Sequence, residues 1–271
     1  MSSMEGRVAL ITGAARGQGR AHAAKLSSLG MDIIGIDICR DISTMDYPNA
    51  TEADLGETVK TVESNGRKML PFKADVRNFG ELEAAINEGC ARFRRLDVII
   101  ANAGIINLQG TVPTVDAWDD VINVNLNGVY YTLRAAIPHM INAGNGGSVV
   151  LTSSSAGLKA VTGSHASALA YSSAKWGLRG LMQAYAHELA PHGIRVNTIH
   201  PTGVLTGMTQ NEAMANMAAN PSNDLAAMQN LLPIQILQAE DIANAVAFLV
   251  SDEAHYITGV AMPLDAGFSI R

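Results

Sequence analysis

The chain has 271 residues, 48% of them hydrophobic and 16% charged, with a formal net charge of −6. This composition excludes a disordered chain and suits one well-buried α/β domain over residues 1–271. The acidic balance, without any Lys/Arg run, argues against a nucleic-acid partner, and no stretch reaches the roughly 18 uninterrupted apolar residues of a membrane helix.

A first strand is expected at Val8–Ile11, so close to Met1 that no signal peptide is expected. It runs into Thr12-Gly13-Ala14-Ala15-Arg16-Gly17-Gln18-Gly19 and a helix at Arg20–Leu29. Gly13 permits a tight turn, Gly17 lets backbone approach a pyrophosphate, and Gly19 allows close helix–strand packing. The helix N-terminus then offers free N–H groups to phosphates. The second strand, Ile33–Ile36, ends at Asp37 and Ile38. A carboxylate here accepts from ribose hydroxyls and repels a 2′-phosphate, which favours NAD over NADP. Arg16, where a cation could hold that phosphate, points the other way but carries less weight. Cys39–Thr51 is polar and Asp-rich, and loops of this length are usually functional or disordered. Thr51-Glu52-Ala53-Asp54-Leu55 reads as the next helix start.

Further strands are expected at Met69–Phe72, Val98–Ala101, Ser148–Leu151, Arg195–Ile199 and Val260–Leu264. Helical patterns lie between them at Glu81–Arg92, Trp118–Met140, Tyr171–Leu189 and Asp241–Val250. Continuous β-branched runs suggest strands covered on both faces, and the alternation predicts a doubly wound parallel sheet. Cys39 and Cys90 lack metal-ligand spacing, so free thiols, no metal site and a cytoplasmic location are expected.

Tyr171-Ser172-Ser173-Ala174-Lys175 places Tyr171 and Lys175 on one helix face. A neighbouring ammonium lowers a phenol pKa, which suits a general base, although this short pattern is weak alone. Ser153-Ser154-Ser155 ends a strand, where a hydroxyl could bond a substrate oxygen. Asn125 in Asn123-Val124-Asn125 is a polar residue in an apolar helix, either structural or catalytic.

Taken together, these elements resemble the short-chain dehydrogenase/reductase family across nearly the whole chain. They are Thr12–Gly19, Asp75-Val76, Asn102-Ala103-Gly104, Asn125, Ser154, Tyr171/Lys175, and Pro201 after Arg195-Val196-Asn197. The resemblance implies a Rossmann-type three-layer sandwich with a seven-stranded parallel sheet, and a catalytic set of Asn125, Ser154, Tyr171 and Lys175. Ser154 would position the substrate oxygen and Tyr171 would exchange the proton. Lys175 would lower the Tyr171 pKa and hold the nicotinamide ribose, and Asn125 would anchor a water relay. Gly13, Arg16, Gly17, Gln18, Gly19, Asp37, Ile38, Asp75, Val76, Asn102, Ala103, Gly104, Tyr171, Lys175, Pro201, Val204 and Thr206 make up the expected cofactor-contacting set. Ser153 and Ser155 remain alternatives to Ser154, although strand alternation turns them to the other face. Ala101 stands where the family usually has Asn, and Pro201-Thr202-Gly203 replaces the usual Pro-Gly, which shifts the nicotinamide contacts. The loop Gly163-Ser164-His165-Ala166-Ser167 should edge the substrate pocket, with His165 a substrate contact or simply exposed.

The insertion Cys39–Thr51, the glycine-rich turn ending in Arg20, and His200-Pro201-Thr202-Gly203 look like the subgroup of carveol dehydrogenases and mycofactocin-associated dehydrogenases. That likeness implies tightly held NAD, an external redox carrier, and a secondary alcohol substrate, hydrophobic or terpenoid, such as carveol. The insertion is expected to fold over the adenosine side; a neutral surface insertion is the competing reading. Residues 206–232 should form a substrate lid whose Met208, Met214, Met217 and Met228 suit an apolar ligand, or else pack a core or an oligomer face. Family habit implies a homotetramer built on the long helices. The alternatives are an NADPH-dependent 3-oxoacyl thioester reductase and a non-catalytic nucleotide-binding member.

Overall fold

In β1 (Val8–Thr12) the side chains alternate between two cores: Val8 and Leu10 enter one, Ala9 and Ile11 the other. The same alternation recurs in β2 (Asp32–Asp37), β4 (Val98–Ala101) and β5 (Gly147–Thr152), which explains their unbroken hydrophobicity. With β3 (Met69–Lys73), β6 (Ile194–Pro201) and β7 (Ala261–Leu264) they form one seven-stranded sheet, ordered β3-β2-β1-β4-β5-β6-β7. Every pairing is parallel. The computed structural model describes residues 4–107, 115–159, 166–219 and 229–271.

Helices cover both faces. Against one pack α1 (Gly17–Ser28), α2 (Glu52–Ser64) and α8 (Ala239–Val250), through Leu26, Leu55, Val62, Ile242 and Val246. Against the other pack α3 (Phe79–Phe93), α5 (Gly128–Ala143) and α6 (Ala166–Leu189), through Leu82, Ile86, Leu133, Leu178 and Met182. The three-layer expectation holds. Strand order reverses between β1 and β4, and the crevice outside their C-terminal ends is where such sheets bind ligands.

Three expectations need correction. The helix expected over Trp118–Met140 is α4 (Val115–Ile122), then a π-helical turn at Asn123–Asn127, then α5. Tyr171 does not open its helix, since α6 begins at Ala166. Within the expected lid lies a short helix, α7 (Glu212–Ala219), where Asn211 Oδ1 accepts the Met214 N–H at 2.8 Å. Its Asn-then-Met/Ala sequence was a readable start signal. Residues 160–165, with His165, lie outside the described residues, as do Met228 and the side chain of Met217. Both cysteines are free and buried, and among the described residues no group of acidic, His or Cys side chains suits a metal. No helix of the described residues is long and apolar enough to cross a membrane.

Candidate active site

The crevice at the β1/β4 switch is a half-open cleft. Gly13, Gly17, Gln18, Asp37, Ile38, Asp75, Val76, Asn102, Ala103 and Gly104 all line it. Gly13 has φ +68° and a Cβ there would lie 3.0 Å from Ala103 Cα, so this turn excludes a side chain. A Cβ at Gly19 would collide with the Gly13 carbonyl, which is the close helix–strand packing the motif implied. Gly17 and Gln18 open α1 and line this cleft, so the first-turn N–H groups of the helix are available at the place where a pyrophosphate would sit, and the residues present fit a dinucleotide.

Asp37 is buried, accepting from Ala15 N at 2.9 Å on one oxygen and Cys39 N at 3.2 Å on the other. Burial pushes its carboxyl up, against those two N–H groups and the nearby Arg16 charge, which hold it down. A carboxylate has about four acceptor sites, so each oxygen keeps room for a ribose hydroxyl. Arg16 donates instead to the Pro48 carbonyl at 2.7 Å, and its guanidinium packs against Gly207, where a Cβ would lie 2.8 Å from Cζ. A cation committed to a carbonyl is poorly free to hold a 2′-phosphate. Asp75 is bonded by Arg77 and by Arg40 at 3.2 Å; burial raises its pKa, but the Arg77 bonds outweigh that and the net shift is downward. Asn102 Nδ2 donates to Thr12 O at 3.1 Å, tying the ends of β1 and β4 together.

The insertion does more than border the Asp37 end of the cleft. Ile42, Tyr47, Asn49 and Ala50 all line the cleft. Thr44 Oγ1 donates to Asp120 at 2.6 Å, and Asn107 Nδ2 donates to Thr44 O at 2.8 Å. Thr51 and Asp54 close a capping box that anchors the segment to α2. Tyr47, buried, packs with Ala213 and against Ile106, Met208 and Met214, and its hydroxyl accepts the Ile106 N–H at 3.3 Å. The loop is thus a strap running from the Asp37 end of the cleft to Met208, Ala213 and Met214 in the expected lid. Nothing in its composition signalled that reach.

The lid segment leaves and returns through one short parallel contact, Val204 with Leu237. Thr206 lines the cleft and packs on Gly17, with Gly207 and Met208 beside it. Val204 is buried in the core and, like Pro201 at the end of β6, is not among the cleft-lining residues, so its expected nicotinamide contact would have to come from backbone.

Tyr171, Lys175 and Ser154 do not line the cleft themselves but lie behind Gly104, which does, and there Ser154 hydrogen-bonds the Tyr171 phenol. Lys175 Nζ lies 5.4 Å from the Tyr171 ring centroid and donates to Thr152 O at 2.7 Å. Ser153 Oγ turns away and donates to Lys175 O at 2.8 Å, while Ser155 is buried. Among the three serines, only Ser154 meets the phenol. Asn125 is fully buried; Nδ2 donates to Val121 O and Ile105 O, both at 2.8 Å, and Oδ1 accepts Ile105 N at 3.3 Å. Both amide hydrogens are committed, so this side chain clamps the 104–105 backbone. A Cβ on Gly104 would lie 2.9 Å from Asn125 Oδ1 and 3.5 Å from Lys175 Nζ, which brings all four expected residues to one place.

The electrostatics differ from expectation in one respect. Burial pushes Tyr171 above its ordinary value, and the Ser154 hydrogen bond only partly opposes it. Burial also pulls Lys175 down to about 7. The lysine is itself desolvated, so in the chain alone it does not bring the phenol down as the sequence suggested.

A family model described as Enoyl-(Acyl carrier protein) reductase matches residues 13–269. A putative short-chain type dehydrogenase/reductase of Mycolicibacterium smegmatis is 46% identical, covering 99% of each chain. The chain belongs to the short-chain dehydrogenase/reductase family. Within that family it is similar to a (-)-trans-carveol dehydrogenase of Rhodococcus erythropolis, 44% identical over 100% of both chains. It also resembles the crystal structure of a carveol dehydrogenase from Mycobacterium avium in complex with NAD, with TM-score 0.93, 42% identity and 100% coverage of both.

Proposed function

We propose that this protein is an NAD-dependent dehydrogenase that interconverts a secondary alcohol and its ketone. The observation that carries the reading is the convergence of Ser154, Tyr171 and Lys175 beside Gly104, a residue of the cleft at the β1/β4 switch. In alcohol oxidation Ser154 bonds the substrate oxygen and Tyr171 takes its proton. Lys175, held by Thr152 O, supplies positive charge beside the phenolate and a donor to the nicotinamide ribose. Bound NAD supplies the hydride acceptor. Asp37 selects NAD, and Arg16, tied to the strap, offers little to a 2′-phosphate. Asn125 fixes the backbone around Gly104 with both amide hydrogens, which leaves a free lone pair on Oδ1 as its side-chain anchor for a relay water. The methionine-lined lid, with Met208 and Met214 near Tyr47, suits a hydrophobic or terpenoid alcohol such as carveol.

The strap supports a finer reading: NAD leaves slowly, and electrons pass to an external redox carrier, as in the mycofactocin-associated dehydrogenases. Exposed Trp118, Tyr130 and Trp176 on α4, α5 and α6 support a homotetramer built on those helices. The protein acts as a single cytoplasmic domain. The deciding experiment is Tyr171→Phe assayed on secondary alcohols with NAD and with an artificial electron acceptor. Loss of about 10²–10⁴ in kcat with the NAD affinity kept is expected; alcohol oxidation at the parent rate sinks the mechanism.

A further inference from the structure

β5 and β6 run parallel, and the last rung of their ladder is the Ser153 N–H donating to Ile199 O at 2.9 Å. The next donor on β6 would be the amide of residue 201, which is proline and has none. The ladder therefore ends at Ser153, whose carbonyl that amide would have served. One residue further on, the His200 side chain reaches across from β6, with Nδ1 2.8 Å from Ser154 O. A carbonyl only accepts, so Nδ1 carries the hydrogen. His200 Nε2 lies 2.8 Å from Thr198 Oγ1, which donates to it when the ring is neutral. Burial holds the His200 pKa near 4, so the neutral ring with hydrogen on Nδ1 persists through the neutral range. The imidazole is fully buried and both nitrogens are engaged.

The geometry points to His200 as a positioning residue that aims the Ser154 hydroxyl at Tyr171 by tying the Ser154 carbonyl to β6 just beyond the point where Pro201 ends the ladder. This rests on the reading of Ser154 as the substrate-oxygen hydroxyl. Ser154 sits at the turn out of β5, with extended φ −165° and ψ 163°. Its carbonyl accepts the Gly157 N–H at 2.8 Å as well as the imidazole, and its Oγ accepts the Ala156 N–H at 3.1 Å. The Gly157 and Ala156 bonds are local to the turn and move with it. Only the imidazole ties the Ser154 carbonyl to the rigid sheet. Loss of that tie lets the turn rotate as a unit, carrying Oγ away from the phenol while leaving the cofactor cleft and lid untouched.

The test compares His200→Leu, which removes the donor, with His200→Asn, whose amide nitrogen overlays Nδ1. The Leu variant should lose about tenfold to a hundredfold in kcat, the range for a reacting group displaced by up to about 1 Å. NAD affinity and alcohol KM should stay within about threefold, and the deuterium isotope effect on kcat should rise as hydride transfer becomes limiting. His200→Asn should recover most of the kcat. In a Ser154→Ala background, His200→Leu should cost nothing more, because its effect acts through Ser154. Parent-level kcat in His200→Leu overturns the inference, as does an undiminished further loss in the Ser154→Ala background. If His200→Leu does not fold, His200→Gln takes its place: its amide extends one methylene past the Nδ1 position, and equal activity of Gln and Asn variants overturns the inference. Ser154→Ala alone reports on the parent reading, since full activity there removes the assigned role of Ser154 whatever His200 does.

Discussion

Tyr47→Ala tests whether the strap governs cofactor release. Tyr47 is 7% exposed, and its ring fills the junction between the strap and lid residues Met208, Ala213 and Met214. Truncating a buried aromatic costs about 3–5 kcal/mol when the whole fold feels it. Here only strap opening feels it, and the junction can partly collapse onto flexible methionines, so about 2–3 kcal/mol is the expected loss of closure. At 1.36 kcal/mol per decade, NAD dissociation should accelerate about 30-fold to 150-fold. Tyr47→Phe removes only the acceptor for Ile106 N and should give about 2-fold to 10-fold. The assay is stopped-flow displacement of bound NADH, read by fluorescence, alongside nucleotide retained after desalting. The Thr44–Asp120 and Arg16–Pro48 contacts remain in both variants, so the adenosine end stays anchored. Unchanged dissociation in Tyr47→Ala, or complete loss of nucleotide from the parent on desalting, refutes the strap as a gate.

Three other outcomes follow from the buried charges. Because burial raises the Tyr171 pKa and the base must be deprotonated, kcat/KM for alcohol oxidation should climb with pH through neutrality, and ketone reduction should fall at high pH; a flat oxidation profile over pH 6–9 (pH steps of about one unit suffice) speaks against Tyr171 as base. Lys175 titrates near 7 folded against 10.5 free, so the unfolded chain binds the extra proton between those values; stability is lost as pH falls through that window, with the full penalty below about 7. Lys175→Met should therefore be inactive yet gain melting temperature relative to the parent at pH 7 more than at pH 10, and a pH-independent difference contradicts the assignment. His22 is wholly buried on α1, and neither ring nitrogen has a hydrogen-bond partner among the described residues; burial lowers its pKa to about 3. Its unfolded form takes up a proton below 6.5, so stability falls from pH 6.5 towards 3. His22→Leu should flatten the urea midpoint over that range, and parallel acid slopes for variant and parent would disprove the contribution.

The sheet was legible because a strand covered on both faces needs apolar residues at every position, and that pattern is local. The glycine turn was legible for a similar reason: Gly13 and Gly19 answer to steric contacts that only glycine satisfies. Other features escaped because their causes are long-range. The strap is set by single bonds from Thr44 to Asp120, from Asn107 to Thr44 and from Ile106 to Tyr47, partners some 60 to 76 positions apart. Composition reports only that such a segment is polar. The π-helical turn arises because Asn125 Nδ2 takes the Val121 carbonyl while also holding Ile105, and the apolar periodicity of the flanking helices carries no trace of that competition.

The pKa reversal at Tyr171 and Lys175 shows the same limit in energetic form. Helical spacing correctly placed Lys175 on the Tyr171 face, and the family likeness correctly brought Ser154 to them. Spacing says nothing about dielectric. Lys175 is 2% exposed, and its ammonium is disfavoured by the same dry surroundings that disfavour tyrosinate. Each charged form is costly, and in the chain by itself neither offsets the other: burial dominates both shifts, and Ser154, not Lys175, is the group that opposes it at the phenol. The positive charge a tyrosinate needs must therefore be held at Lys175 against desolvation, and Thr152 O, which accepts from Nζ at 2.7 Å, is a contact that favours the ammonium.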